Sequence, residues 1–362
     1  MSELSYEELK AKVAELEKQD DQIIVVTPLY GFSSDSDELS IGELSSLSRY
    51  QHDSSLPFSP DDIFYKMLHL YKPDYLLWQH HRSSWVEHFL RPLFNPASCQ
   101  SLEDLESNLL VLFWFPAINL FRLLRLFKPG RLVAGDSYVI FCQEPWRTVF
   151  WKRCSEMAID YGLLHMQSGS YALSSLEVPF FKIFCESLLP LLKSRQVSEY
   201  VSPSPLEVAL ELYNEDEHRS DLAVLKALTA FEALLTDESS SELSYRLSLR
   251  VTNLLESDDA SRIKTFRDMR EFYDLRSKIV HGSASKLNAK LQARLQQVDS
   301  LRELLRKTIL SVMALKLDGN STKDRLGELL DEIVLDQAKR MEVQKLAAKF
   351  LHVGARAPYI VQ

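Results

Sequence analysis

A Ser- and Pro-rich stretch, Val201-Ser-Pro-Ser-Pro205, separates two regions of different periodicity, and no other feature of this chain limits its fold as strongly. Beyond it, strand patterns nearly vanish, and apolar residues recur at helical spacing over about 205–214, 220–236, 242–256, 261–281, 289–317 and 322–351. Ser204 suits an N-cap, Pro205 the first helical turn and Glu207 the acidic position of a capping box, so a helical unit starts here. Short polar connections such as Thr236-Asp-Glu-Ser-Ser-Ser241 make neighbouring helices antiparallel, as in an up-and-down bundle.

The preceding 200 residues carry a mixed signal. Ile23-Ile24-Val25-Val26 reads as a strand, and the Ser- and Asp-rich stretch from Gly31 to Ser59 as a long loop. Helical patterns cover Tyr65 to Leu77 and Trp85 to Phe94. Arg131 to Phe141 and Tyr171-Ala-Leu look strand-like, and another helix is predicted from Pro179 to Leu192. The predicted fold is mainly α: an N-terminal α+β domain over 1–200, a helical bundle over 201–318, and a C-terminal helix over 319–362 packed on the bundle or on a partner.

Composition narrows the function classes. A formal charge of -9 over 362 residues excludes binding of nucleic acid through an overall positive field, so any RNA contact must be local. The N-terminus is polar and amphipathic rather than basic and then apolar, so it is not a secretory signal. The most apolar stretch, Leu109 to Phe127, is interrupted by Pro116, Asn119, Arg122 and Arg125, which fits a buried helix and not a membrane span. A cytoplasmic protein is expected. Cys99, Cys142, Cys154 and Cys185 lack CxxC spacing and read as reduced thiols. His80, His81, Glu87 and His88 match no zinc pattern, no glycine cluster suggests a nucleotide loop, and the five tryptophans lack an interleaved basic pattern. No cofactor is expected.

Two charges stand where apolar residues would serve the fold. On the 220–236 helix, Glu232 falls in phase with Leu225, Leu228 and Leu235. On the 261–281 helix, Arg276 has Phe272 and Tyr273 one turn before it and Ile279 and Val280 one turn after. An unpaired buried charge costs several kcal/mol, so Arg276 must meet either Glu232 or a phosphate. His281 follows just ahead of Gly282, a helix-end combination. A separation of five residues turns Arg276 and His281 roughly 140° apart around a regular helix. Convergence of the pair on one phosphodiester therefore calls for a two-fold dimer.

The chemistry needs little more. RNA is cut by its own 2′-hydroxyl when a histidine moves protons and a fixed cation stabilises the crowded phosphate, and that reaction requires no metal. Between Tyr245 and Arg294 there are 11 basic residues against six acids, a local excess of five charges, which locates the RNA. Arg246, Arg250, Lys278 and Lys286 are its expected contacts.

At these positions the chain resembles the HEPN superfamily, specifically Apea-like HEPN domains. The likeness runs through Ala230-Phe-Glu-Ala-Leu-Leu235, Tyr245-Arg-Leu-Ser-Leu-Arg250 and Tyr273-Asp-Leu-Arg-Ser-Lys-Ile-Val-His-Gly282, and covers about 205–317. The resemblance implies a dimerising helical bundle whose Arg-x4-6-His signature is a ribonuclease site, frequently in bacterial antiviral defence or toxin systems. Carried onto this chain, Arg276 and His281 are catalytic, Glu232 orients Arg276, and Ser277 or Asp274 assists His281. Many active members carry Asn, Asp or His after the arginine, where this chain has Ser277. The expected partners are an RNA substrate, further copies of the chain in a homodimer or larger assembly, and a protein or trigger acting through the N-terminal domain.

The bare signature is weak, since a second match, Arg82-Ser-Ser-Trp-Val-Glu-His88, lies outside the helical block. Plainer readings stand beside the sharp one: an architectural Arg276–Glu232 pair, a histidine interacting with helix-end carbonyls, and a solvated basic face. At the level of function the alternative is a non-catalytic HEPN module serving dimerisation or a larger defence complex.

Overall fold

The computed structural model describes residues 23–41, 45–50, 61–62, 64, 66, 68, 72–81, 115–130, 132–141, 147–152, 171–192, 203–215, 219–236, 242–281, 289–319 and 323–351. The chain separates into two compact units, one of residues 1–125 with 129–200, the other of residues 126–128 with 201–362. It is mainly helical, with an antiparallel sheet in its N-terminal part.

In the first unit the strands are β1 (Ile23–Tyr30), β2 (Phe32–Ser33), β3 (Glu38–Ser40), β4 (Ser45–Arg49), β5 (Tyr75–His81), β6 (Val133–Ala134), β7 (Ser137–Phe141), β8 (Arg147–Lys152) and β9 (Tyr171–Ala172). Seven form one sheet in the order β3-β4-β5-β1-β7-β8, with β6 also on β1, while β2 pairs β9 in parallel. Ile24 through Tyr30 are all buried, and because neighbouring residues of a strand face opposite sides, the centre of the sheet is covered on both faces. One face gathers Ile24, Val26, Leu76, Tyr138 and Ile140 with Phe64 and Leu68. Pro28 sits inside this central strand at a place that spares its missing N–H. The β7 ladder ends at Val26, the β6 pairing begins at Leu29, and Gly135 donates to the Pro28 carbonyl at 2.8 Å between them. A Cβ on Gly135 would lie 3.1 Å from the Tyr30 ring, which favours glycine there.

Two expectations for this unit fail. The stretch from Gly31 onward was expected to be loop, yet it holds β2, β3 and β4. One inward leucine in each of β3 and β4, Leu39 and Leu47, anchors these otherwise polar strands to the sheet. Tyr75–Leu77 was assigned to a helix but opens β5, whose residues pair β1 on one side and β4 on the other. Pro73 disfavours a helical residue before it, and the ladder partners decide the conformation of the apolar run that follows. Helix α1 (Phe115–Phe127) and helix α2 (Val178–Leu188), which ends in a single 3-10 turn, match the predicted helical regions where these are described. The patterns at 85–94 and 109–114, the Arg82 to His88 match, and Cys99, Cys142 and Cys154 lie outside the described residues. Cys185 is a buried free thiol. No helix among the described residues is long and apolar enough to cross a membrane.

The second unit consists of α3 (Pro205–Asn214), α4 (Ser220–Leu235), α5 (Leu243–Leu255), α6 (Asp259–Val280), α7 (Ala289–Leu295), α8 (Val298–Leu317), α9 (Lys323–Leu335) and α10 (Gln337–Ala347). The capping box is formed: the Glu207 N–H donates to Ser204 Oγ, and the Ser204 N–H donates to Glu207 Oε2 at 2.6 Å. Helices α4, α5 and α8 pack against one another, and α6 lies against α4 and α5. Two long helices expected from the pattern are each divided. The 289–317 segment breaks at Gln296 and Gln297. The final segment breaks at Asp336, whose carboxylate accepts the Lys339 N–H and so starts α10 afresh.

Helices α9 and α10 complete the bundle. Arg250 of α5 is 1% exposed and forms a bidentate pair with Asp331 of α9 at 2.8 and 2.9 Å, while also donating to the Leu235 carbonyl at the end of α4. Gln344 of α10 donates to the Asn253 and Glu256 carbonyls at 2.7 and 2.8 Å, closing the end of α5. Helix ends leave carbonyls without intrahelical partners, and these two side chains satisfy them from a distance in sequence.

Candidate functional site

Glu232 lies in the last turn of α4, at the margin of a buried face formed by Ala227, Leu228, Phe231 and Leu235. The turn is tied down, since the Glu232 carbonyl accepts from both the backbone N–H and the hydroxyl of Thr236. Helix α6 presents Tyr273 and Arg276 to this carboxylate. They are three residues apart and therefore on one side of their helix. The Tyr273 hydroxyl donates to Glu232 Oε1 at 2.9 Å, and Arg276 Nη2 approaches Glu232 Oε2 at 3.4 Å, with its guanidinium 6.0 Å from the Tyr273 ring centre. Burial, and then the neighbouring Glu232 charge, push the Tyr273 phenol far above its ordinary pKa, so it remains a proton donor to the carboxylate. The Arg276 side chain keeps 33% of its surface in solvent against 18% for Glu232. The predicted Arg276–Glu232 pair is thus present, but it is long and partly open to solvent on the arginine side.

His281 takes a different direction. It is the C-cap of α6, its N–H bonded to the Ser277 carbonyl at 3.1 Å, and it is exposed. Ile263, Arg267, Arg270, Asp274, Ser277 and His281 are all exposed and follow one another at alternating steps of four and three residues, which traces a single stripe along α6. Ser277 and Asp274 therefore share a face with His281, whereas Arg276 flanks that face toward α4. A single copy holds the signature arginine and histidine on different sides of one helix, as the five-residue separation requires.

The residues expected to touch RNA are distributed otherwise. Arg250 is a buried structural cation, and Arg246 lies 3.5 Å from the same Asp331. Arg250 was expected at an RNA surface. Its burial removes it from one, because the guanidinium caps α4 and spends its donors inside the bundle. Lys278 is half-buried, and Lys286 lies outside the described residues. Within this segment Lys264 pairs with Asp268, Lys290 with Glu271, and Arg294 with both, while Asp331 and Glu232 from outside it offset part of the positive excess. The Lys290 and Arg294 donors hold the Glu271 carboxyl below its usual range.

Two participants escaped sequence reasoning. Tyr273 had counted only as an apolar neighbour of Arg276, although its position three residues earlier already allowed a shared partner. Asp331 had no signal, because its match to Arg250 spans 81 residues. Among the described residues, no group of three or more His, Cys, Asp or Glu side chains is arranged to hold a metal ion. No family model matches this chain, and no curated protein or solved structure is significantly similar to it.

Proposed function

We propose that the helical unit is a HEPN-type endoribonuclease that acts as a dimer, with Arg276 binding the scissile phosphate and His281 transferring protons. The observation that carries this reading is the state of Arg276. Its guanidinium is one-third exposed and held by one long ion pair to a carboxylate that Tyr273 already engages. A cation oriented in this way, with donors left over, suits a phosphate whose charge rises in the transition state.

In the proposed reaction the ribose 2′-oxygen bonds to phosphorus while the bond from phosphorus to the 5′-oxygen breaks. One His281 imidazole takes the proton from the 2′-hydroxyl, and the imidazolium of a second copy delivers a proton to the departing 5′-oxygen. The products are a 2′,3′-cyclic phosphate and a 5′-hydroxyl. Pairing two copies about a two-fold axis brings one chain's histidine toward the other's arginine, which the divergence of these residues on a single α6 makes necessary. A place in a defence or toxin system follows from the same resemblance.

The divergence also favours a second reading, a non-catalytic module in which the Arg276–Glu232–Tyr273 cluster only joins α4 to α6. Cleavage of RNA by wild type, Arg276→Ala and His281→Ala, each with and without EDTA, separates the two. Cleavage that both substitutions abolish, that EDTA leaves intact and that yields cyclic phosphate ends supports the nuclease. Absence of cleavage, or cleavage that survives both substitutions, supports the module.

A further inference from the structure

We propose that the exposed stripe of α6, with Tyr245 beside it, is a track for single-stranded RNA in which Arg267 and Arg270 hold the backbone phosphates. This rests on the ribonuclease reading for its substrate class, though not for its geometry. Among the described cations of residues 245–294, most are committed to carboxylates, as shown above for Arg246, Arg250, Lys264, Lys290 and Arg294. Arg267 and Arg270 are exposed and make no hydrogen bond, ion pair or ring contact. They are the arginines of this segment whose donors are left to an outside anion, and they lie on the stripe that ends at His281. Helical rise places Arg270 about 16 Å from His281 along the axis, so a strand held by the arginines runs toward the imidazole.

An aromatic shelf lies beside Arg267, in the half of the helix away from His281. Tyr245 of α5 keeps 45% of its surface exposed while packing edge-on against Phe266 at 5.6 Å, and Ile263 one turn before Arg267 is 53% exposed. Free arginines next to an exposed ring are the two components of single-strand binding, in which phosphates meet cations and bases stack on side chains. The one acid on the stripe, Asp274, lies between Arg270 and His281 and is exposed, so it opposes phosphate at that position. An acidic protein surface would use the arginines but has no need of the ring, and RNA is therefore the occupant these features favour.

The test is fluorescence anisotropy of the full chain with a labelled, mixed-sequence 2′-O-methyl RNA, which binds but lacks the nucleophile. Titrations run between about 50 and 200 mM salt. Arg267→Gln with Arg270→Gln is expected to weaken binding about tenfold and to lower the slope of log affinity against log salt by about 1.4, or about 0.7 for each lost phosphate contact. Tyr245→Ala is expected to weaken binding about fivefold with the slope unchanged, since stacking releases no counterion. Asp274→Asn is expected to tighten it about twofold. Thermal melting of each variant confirms that these exposed substitutions leave the fold intact.

Unchanged affinity and slope in the double arginine variant overturn the track. So does a wild type that binds no RNA at low salt, or one whose arginines are needed only by an acidic polypeptide. Cleavage that depends on Arg276 and His281 together with binding indifferent to Arg267 and Arg270 leaves the nuclease reading standing and removes the track. Binding that requires the arginines, with no cleavage by wild type, does the reverse.

Discussion

Tyr273 and Glu232 make the shorter contact between α4 and α6: the phenol donates to Oε1 at 2.9 Å, whereas Arg276 reaches Oε2 only at 3.4 Å. The tyrosine fixes the carboxylate, and the carboxylate in turn orients the arginine without saturating it. Tyr273→Phe should cost about 1–2 kcal/mol in stability, as expected for loss of a hydrogen bond to a charged group. It has an alkaline signature as well. The unfolded phenol ionises near pH 10, while burial and the Glu232 charge keep the native one protonated above that value. Above about pH 10 the native state thus binds more protons than the unfolded state, so stability falls as pH rises, by up to about 1.4 kcal/mol per unit. Urea unfolding of wild type and Tyr273→Phe from pH 8 upward, in steps to about pH 11, should give a shallower alkaline decline in the variant. Equal slopes would mean that the phenol is not held against the carboxylate.

Replacing Arg276 with lysine keeps the charge and removes the planar fork. A point charge on a flexible stem cannot bridge Glu232 and a phosphate in the same way, so RNA cleavage should drop at least about tenfold while the melting temperature stays close to that of wild type. Full activity in Arg276→Lys would show that only net charge matters at this position.

The Arg250–Asp331 pair should respond asymmetrically. Arg250→Ala removes a buried side chain, opens a cavity and uncaps the Leu235 carbonyl, for an expected loss of about 3 kcal/mol. Asp331 is 55% exposed, so water can partly replace its carboxylate, and Asp331→Ala should cost about 1–2 kcal/mol. Denaturant unfolding measures both, and a larger loss for Asp331→Ala than for Arg250→Ala would contradict this account of the cap.

Glu271 gives the acid limb. The hydrogen bond from Lys290, followed by the contribution of Arg294, depresses its native pKa. Its contribution is therefore complete above the unfolded value of about 4.3 and disappears as pH falls through the depressed native value. Glu271→Gln should flatten the loss of stability below about pH 4.5 relative to wild type. An unaltered acid limb would place the charge-assisted bonds of Lys290 and Arg294 elsewhere.

What could be read in advance divides along physical lines. Helix starts were legible where one side chain and its own backbone settle the matter, as at Ser204 and Glu207. The break at Asp336 rests on the same local chemistry but was hidden inside an unbroken apolar period. Tyr75–Leu77 was misread because a short apolar run has no conformation of its own until β1 and β4 flank it. At the candidate site, the in-phase charges disclosed Glu232 and Arg276, which contact each other. The role of Arg250 could not be inferred, since a cation in a basic segment looks the same whether Asp331 or solvent receives it. Spacing alone did indicate that Arg276 and His281 diverge, because angular position on a helix depends only on residue number.

The bonds from Asp331 and Gln344 give the bundle an unusual dependence on order along the chain. The cap of α5 and the counter-ion of the arginine that caps α4 come from α9 and α10, so a nascent polypeptide holding only the six helices before them exposes the bare carbonyl end of α5 and a guanidinium with no counter-ion. Deletion of residues 323–351 should leave a product that a protease clears before it accumulates.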